Sequence, residues 1–274
     1  MNKGPAQGDF PANPIDKPGY LLEFHDEFPG TSVDRQKWLP FHLPQWSSRH
    51  QAAANARVGD GCLTLKIDAG QAPWCPEYDG DTRCSSLQTG LFAGPLGSTQ
   101  GQHRFNPASV VREAQVNRIT YAPTCGYFEL RAKGTGTPGN HVALWMIGYE
   151  DSPERAAEIC ICEIFGKDAG PASSTIRFGV HPFADPRVVD DFRQVRLPID
   201  ITDFHLYAAE WTPTHIDFYV DNQKVGVVAQ SPAYPMQFML GIYERPQETQ
   251  AGAAYPKKFV IDYFRAYQPI AGYR

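Results

Sequence analysis

The feature that most restricts this chain is a succession of short β-rich runs, each closed by a turn former, along nearly its whole length. Runs at 21–28, 56–68, 115–133, 141–149, 158–165, 174–181, 194–198, 204–211, 215–220, 223–229, 236–243 and 259–267 are rich in Val, Ile, Phe, Tyr and Trp. They either alternate with polar residues or run apolar without a break, the patterns of half-buried and fully buried strands. No segment repeats its apolar residues at a convincing helical spacing. In HIDFYVDNQKVGVV two alternating runs flank Asp221-Asn222, a pair that accepts the left-handed backbone of a two-residue hairpin turn. Short strands punctuated by 24 Gly and 24 Pro predict an all-β fold, a jelly-roll sandwich of two antiparallel sheets.

With 274 residues, 42% of them hydrophobic, the chain can bury one large core in a single domain. Residues 1–18, rich in Pro and Gly, read as a flexible tail, leaving 19–274 as the domain. The stretch from Pro73 to Ala108 carries Gly94-Pro95 and Asn106-Pro107 and reads as long loops over one face, of the length that shapes clefts. Net charge is −5 and the longest basic cluster is Lys257-Lys258, which argues against a nucleic-acid partner. The longest apolar run, His141 to Tyr149, is too short to cross a membrane. The start lacks the apolar segment of a secretion signal, so the chain as written reads as cytoplasmic, with export from a different start or by another route left open; a monomer is the separate expectation for its oligomeric state. Among six cysteines, Cys75 and Cys84 flank a polar loop and are a disulfide candidate in an oxidising compartment. Cys160 and Cys162, two apart on one strand, read as buried structural thiols; no second Cys/His pair has zinc-site spacing.

The run EICICE at 158–163 carries the chemistry. In a flat strand Glu158 and Glu163 point to opposite faces, because five steps is odd, and sit about 16 Å apart at ~3.3 Å per residue. One β-bulge between them restores the parity and shortens the span to four steps, near 13 Å. Two leaning side chains then bring their carboxyls to roughly 5–5.5 Å, the separation of a retaining glycosidase.

The order of LLEFHDEFPGTSVDRQKW, NARVGDGCLTLKID, APTCGYFELRAK, HVALWMIG, AEICICEIFG, the histidine of RFGVHPF, FHLYAAEW, YPMQFML and FVIDYFRAYQ resembles glycoside hydrolase family 16, the laminarinase-like and agarase-like jelly rolls, from about Gly19 to Gln268. That resemblance implies a concanavalin A-like sandwich with a concave cleft, acting on a polysaccharide or oligosaccharide with β-1,3-glucan as first choice. It implies Glu158 as nucleophile and Glu163 as general acid/base, with Cys160 where the family's ExDxxE has its aspartate. It also places His205 beside the carboxylates, and Trp145, Trp211, His141 and Tyr243 along the sugar path. His141 stands where the family commonly has tryptophan and Gly241 where many members have asparagine. Catalysis needs no cofactor in this family. A structural Ca²⁺ is implied on the convex face, with Glu27, Gly61 and Asp262 as its nearest matches. Cleavage by double displacement is the expectation; transfer to a second sugar, or sugar binding without cleavage, are the alternatives that Cys160 leaves open.

Overall fold

A computed structural model describes residues 8–273; the first seven residues of the expected tail, and Arg274, lie outside them. In chain order the strands are β1 (Tyr20–Asp26), β2 (Ala56–Gly59), β3 (Cys62–Ile67), β4 (Arg83–Gln88), β5 (Gly90–Leu91), β6 (Arg118–Ile119), β7 (Gly126–Lys133) and β8 (Asn140–Gly148). There follow β9 (Glu158–Phe165), β10 (Ser174–His181), β11 (Asp191–Leu197), β12 (His205–Trp211), β13 (Ile216–Val220), β14 (Gln223–Val228), β15 (Met236–Glu244) and β16 (Lys257–Pro269). Among the described residues helix is confined to one turn, Pro76–Asp79, and three short 3₁₀ pieces. No helix among the described residues is long and apolar enough to cross a membrane.

Two antiparallel sheets face each other. One runs β14-β13-β12-β7-β16-β3-β2, with β1 also paired to β16; the other runs β11-β10-β9-β8-β15-β4. The main core lies between them, where Phe128, Leu130 and Ile261 of the first sheet meet Leu144, Met146, Ile159 and Leu240 of the second. A second buried cluster, with Trp145, Cys160, Met239 and Tyr243, lies on the outer face of the six-stranded sheet beneath loops that supply Leu43, Trp46 and Trp74. Every residue of β15 is therefore buried, which accounts for its nearly unbroken apolar run. The β13–β14 hairpin turns at Asp221 and Asn222 with φ of 50° and 62°, as the sequence predicts.

Three expectations change. The 73–108 stretch holds an edge strand, β4, paired to β15. Its RCSSLQ sequence hides it, because Ser85, Ser86 and Gln88 are buried without being apolar. The tail is tied down from Asp9 onward: Arg131 donates to the Phe10 carbonyl, Asn13 Nδ2 to Glu129 Oε2, and Tyr267 to the Ile15 carbonyl. Cys75 and Cys84 are free thiols, and Cys75 Sγ donates to the Trp46 carbonyl at 3.3 Å.

Candidate active site

The site begins with an irregularity in β9. Across the ladder to β8, Leu144 pairs with Cys162 and Trp145 with Cys160, so Ile161 is an extra residue. On the other side, Arg177 pairs with Glu163 and Gly179 with Cys160, so Phe178 alone faces two residues. This is the bulge that the Glu158–Glu163 spacing demands. Ile161 and Cys162 both join the core between the sheets, while Cys160 joins the outer cluster. Cys160 and Cys162 thus belong to opposite faces. Gly179 accommodates the distortion: its φ is 143°, and a Cβ there would lie 2.2 Å from the Asp191 carbonyl oxygen. Only glycine fits.

Past the bulge, Glu158 and Glu163 face the same side and stand where two cavities meet. One, of about 230 Å³, is lined by Glu158, Cys160, Glu163, His141, Trp145 and Tyr243 from the sheet, and by His42, Trp74, His103 and Arg245 from beyond it. The other, of about 470 Å³, is lined by Glu158, Glu163, His181, Phe183 and Asp190. Cys160 Sγ donates to Glu158 Oε1 at 2.7 Å. Trp145 Nε1 donates to the Tyr243 hydroxyl at 3.1 Å. The His141 ring stacks on Tyr243, with centroids 4.6 Å apart and planes at 15°. Gly241 lets Tyr243 lie so close: a Cβ at 241 would sit 2.7 Å from the Tyr243 hydroxyl.

Electrostatics in the cleft are those of dry carboxyls. Burial raises Glu158 to about 7, with the charge of Glu163 adding to it and the Cys160 hydrogen bond and His181 opposing. Burial also raises Glu163, against the pull of Arg177, His181 and Arg245. Desolvation penalises the charged form of each, and charge on one makes charge on the other harder, so they titrate as a pair. His141 Nε2 lies 3.6 Å from Glu163 Oε1, but this is no ion pair. Burial, then Arg245, pushes His141 down to about 3. His42, also buried, falls to about 3 and His103 to about 4. The three pocket histidines are therefore neutral, and with Trp74, Trp145 and Tyr243 they form an aromatic wall beside Arg245.

Several predicted residues sit elsewhere. His205 is on β12, in the opposite sheet, where Asp221 Oδ2 at 2.7 Å and the Asp200 carbonyl at 3.1 Å take up its ring nitrogens. Its parity along the strand matches Tyr207 and Ala209, which face the core between the sheets. Trp211, six residues on, is fully buried in that core and donates to Ser231 Oγ; it offers no face to a sugar. The residues matched to calcium do not fit that ion. Both Glu27 oxygens are engaged by Arg265 at 2.8 and 2.7 Å, and Asp262 accepts from Arg131 at 2.6 Å. A cation cage needs those oxygens free.

Two histidines stand beside the carboxylates, His141 against Glu163 and His181 against Glu158. His181 pairs directly with Glu158 in the β9–β10 ladder, and its Nδ1 lies 2.6 Å from Asp190 Oδ1. In the sequence it stands out only as the histidine of RFGVHPF. His42, His103, Trp74 and Asp190 carry no local signal, because loops far apart in the chain bring them to the cleft.

A jelly roll with two adjoining cavities on one sheet, and with a buried and a half-buried carboxylate where they meet, defines a two-carboxylate cleft protein. The family profile of glycosyl hydrolases family 16 matches residues 114–265, and the chain belongs to that family. A β-glucanase of Rhodothermus marinus is 29% identical over 169 residues, 53% of this chain and 58% of that protein. An endo-1,3-1,4-β-glycanase of Rhizobium meliloti is 27% identical over 179 residues, 59% of this chain and 36% of that protein. The chain thus spans less than two thirds of either relative. A GlcNAcα1-4Gal-releasing endo-β-galactosidase from Clostridium perfringens superposes with a TM-score of 0.86 at 35% identity, over 97% of this chain and 67% of that one. A laminarinase domain from Thermotoga petrophila, 20% identical with a TM-score of 0.66 over 92% of this chain and 98% of that domain, shares the fold.

Proposed function

We propose that this chain is an endo-acting, retaining glycoside hydrolase of a β-linked glycan. One observation carries the reading: Glu158 and Glu163 line both cavities, so a glycan lying across them has sugar on either side of the carboxyls. In this reading Glu158 attacks the anomeric carbon as its bond to the leaving oxygen breaks, and Glu163 gives that oxygen a proton. Water then attacks the same carbon, Glu163 takes the water proton, and Glu158 is released. The Cys160 hydrogen bond favours the ionised form of Glu158, which the attack requires. Trp145 and Tyr243 supply stacking faces, and the neutral imidazoles of His42 and His141 supply hydrogen-bonding edges for an uncharged sugar.

The likeness to the endo-β-galactosidase over 97% of the chain favours a β-galactoside at the cleaved bond. A second reading, β-1,3-glucan, draws on the β-glucanase relative. New reducing ends measured on a GlcNAcα1-4Gal-capped β-galactoside glycan, laminarin and mixed-linkage β-glucan separate them. Product from the galactoside alone supports the first reading, and product from laminarin alone supports the second. Binding without product from any of them would leave a carbohydrate-binding module. Glu158→Gln and Glu163→Gln should each abolish cleavage.

A further inference from the structure

We propose that Glu158, Cys160 and His181 form a binding site for a thiophilic divalent cation, zinc foremost, in the floor of the cleft. One ligand atom from each residue lies within 4.8 Å of the other two. The ladder explains the juxtaposition: His181 is directly opposite Glu158, and Cys160 is the next residue of β9 on the same face. The bulge turns Cys162 into the core, so the Cys-X-Cys spacing is irrelevant and the other ligands are a carboxylate and a cross-strand imidazole. Sulfur, nitrogen and carboxylate donors together suit zinc far better than calcium or magnesium, and three protein ligands leave a fourth position open.

An independent contact points the same way. Asp190 Oδ1 holds His181 Nδ1 at 2.6 Å, the second-layer arrangement that fixes the tautomer of a metal-binding histidine and leaves Nε2 bare. Access is available from both sides, since Cys160 and Glu158 line one cavity and Glu158 and His181 the other. Burial holds the Cys160 thiol well above its ordinary value, so the ion must displace the thiol proton to solvent as the metal–sulfur bond forms. Capture follows from the geometry alone. Its consequence rests on the proposed function: an ion held on Glu158 occupies the oxygen that would attack the sugar, so metal binding and hydrolysis exclude each other.

Titration of the full chain with Cd²⁺, and with Zn²⁺ in competition, tests the site. One equivalent should bind with a thiolate-to-cadmium charge-transfer band in the ultraviolet, and proton release should accompany the binding. The band should vanish in Cys160→Ala, and in Cys160→Ser, which keeps the size of the side chain. His181→Ala should weaken binding at least ~10-fold, whereas Cys62→Ala, remote from the cleft, should leave it unchanged. No band in the wild type, or the same band in the Cys160 variants, overturns the site. A full band with undiminished hydrolysis overturns the blocking of Glu158. Absence of hydrolysis in metal-free protein would count against the functional reading, and the optical band still decides the site.

Discussion

Replacing Glu158 with Gln should abolish hydrolysis and yet make the protein more stable above neutral pH. Glu158 is 8% exposed, and burial raises its pKa from 4.5 to about 7. Between those two values the folded protein keeps a proton that the unfolded chain has released. Below about 4.5 both states are protonated, and above about 7 both are ionised. Stability therefore falls as pH climbs through that window, and the loss is complete above it. At about 1.4 kcal/mol per pKa unit, the loss is roughly 3 kcal/mol. The Gln side chain does not ionise and escapes it. One kcal/mol moves the melting temperature of a chain near this size by roughly 2 °C or more. Scanning calorimetry should find Glu158→Gln and wild type melting together near about pH 4, and the variant ahead by on the order of 6 °C near about pH 8. A gap that does not widen with pH, or a wild type that melts later at the higher pH, would refute the desolvated-carboxyl account of this site.

The other consequences are local. Cys160→Ala removes the donor to Glu158 Oε1; losing ~1 kcal/mol of hydrogen bonding to the charged form should move the acid limb of kcat/KM upward by up to about one pH unit, and a downward move contradicts the assignment. Gly241→Ala places a Cβ 2.7 Å from the Tyr243 hydroxyl; displacing that ring from Trp145 and His141 should raise KM by roughly fivefold to tenfold with a smaller change in kcat, and unchanged steady-state kinetics would show that Tyr243 does not shape the sugar path. His205→Gln should cost ~2 kcal/mol in denaturant titration through its lost pairing with Asp221 while the pH profile of kcat/KM stays fixed. A shifted profile in a folded variant would return His205 to the chemistry.

Much of the site is legible in EICICE, because parity is arithmetic. Two glutamates five apart on one strand share a face only if one residue is extra, and Ile161 is that residue. The sandwich is equally legible, since alternation and turn chemistry are local. What fails is whatever depends on the pairing of distant segments. His205 and Trp211 lie on a strand whose alternation distinguishes inside from outside but not one sheet from the other. β12 pairs with β7, more than seventy residues earlier, and that pairing carries both side chains away from the cleft. His181 gains its place from standing opposite Glu158, a register that exists only because of the bulge and Gly179. The N-terminal segment reads as a tail by composition, because nothing local reveals that Glu129, Arg131 and Arg265 present hydrogen-bonding groups to it. The acids matched to calcium fail for a related reason: the arginines that occupy them come from other positions along β7 and β16.

The claim on which the rest stands is that Glu158 and Glu163 work together across one short gap, one forming a bond to the sugar and the other moving the proton. Proton NMR of the product in the first minutes of cleavage, before its anomers equilibrate, tests this most directly. The account predicts that the new reducing end appears first as the β-anomer, the configuration of the bond that was cut. Initial release of the α-anomer would mean that water attacks directly between more widely spaced carboxyls, and the paired-glutamate account would fail.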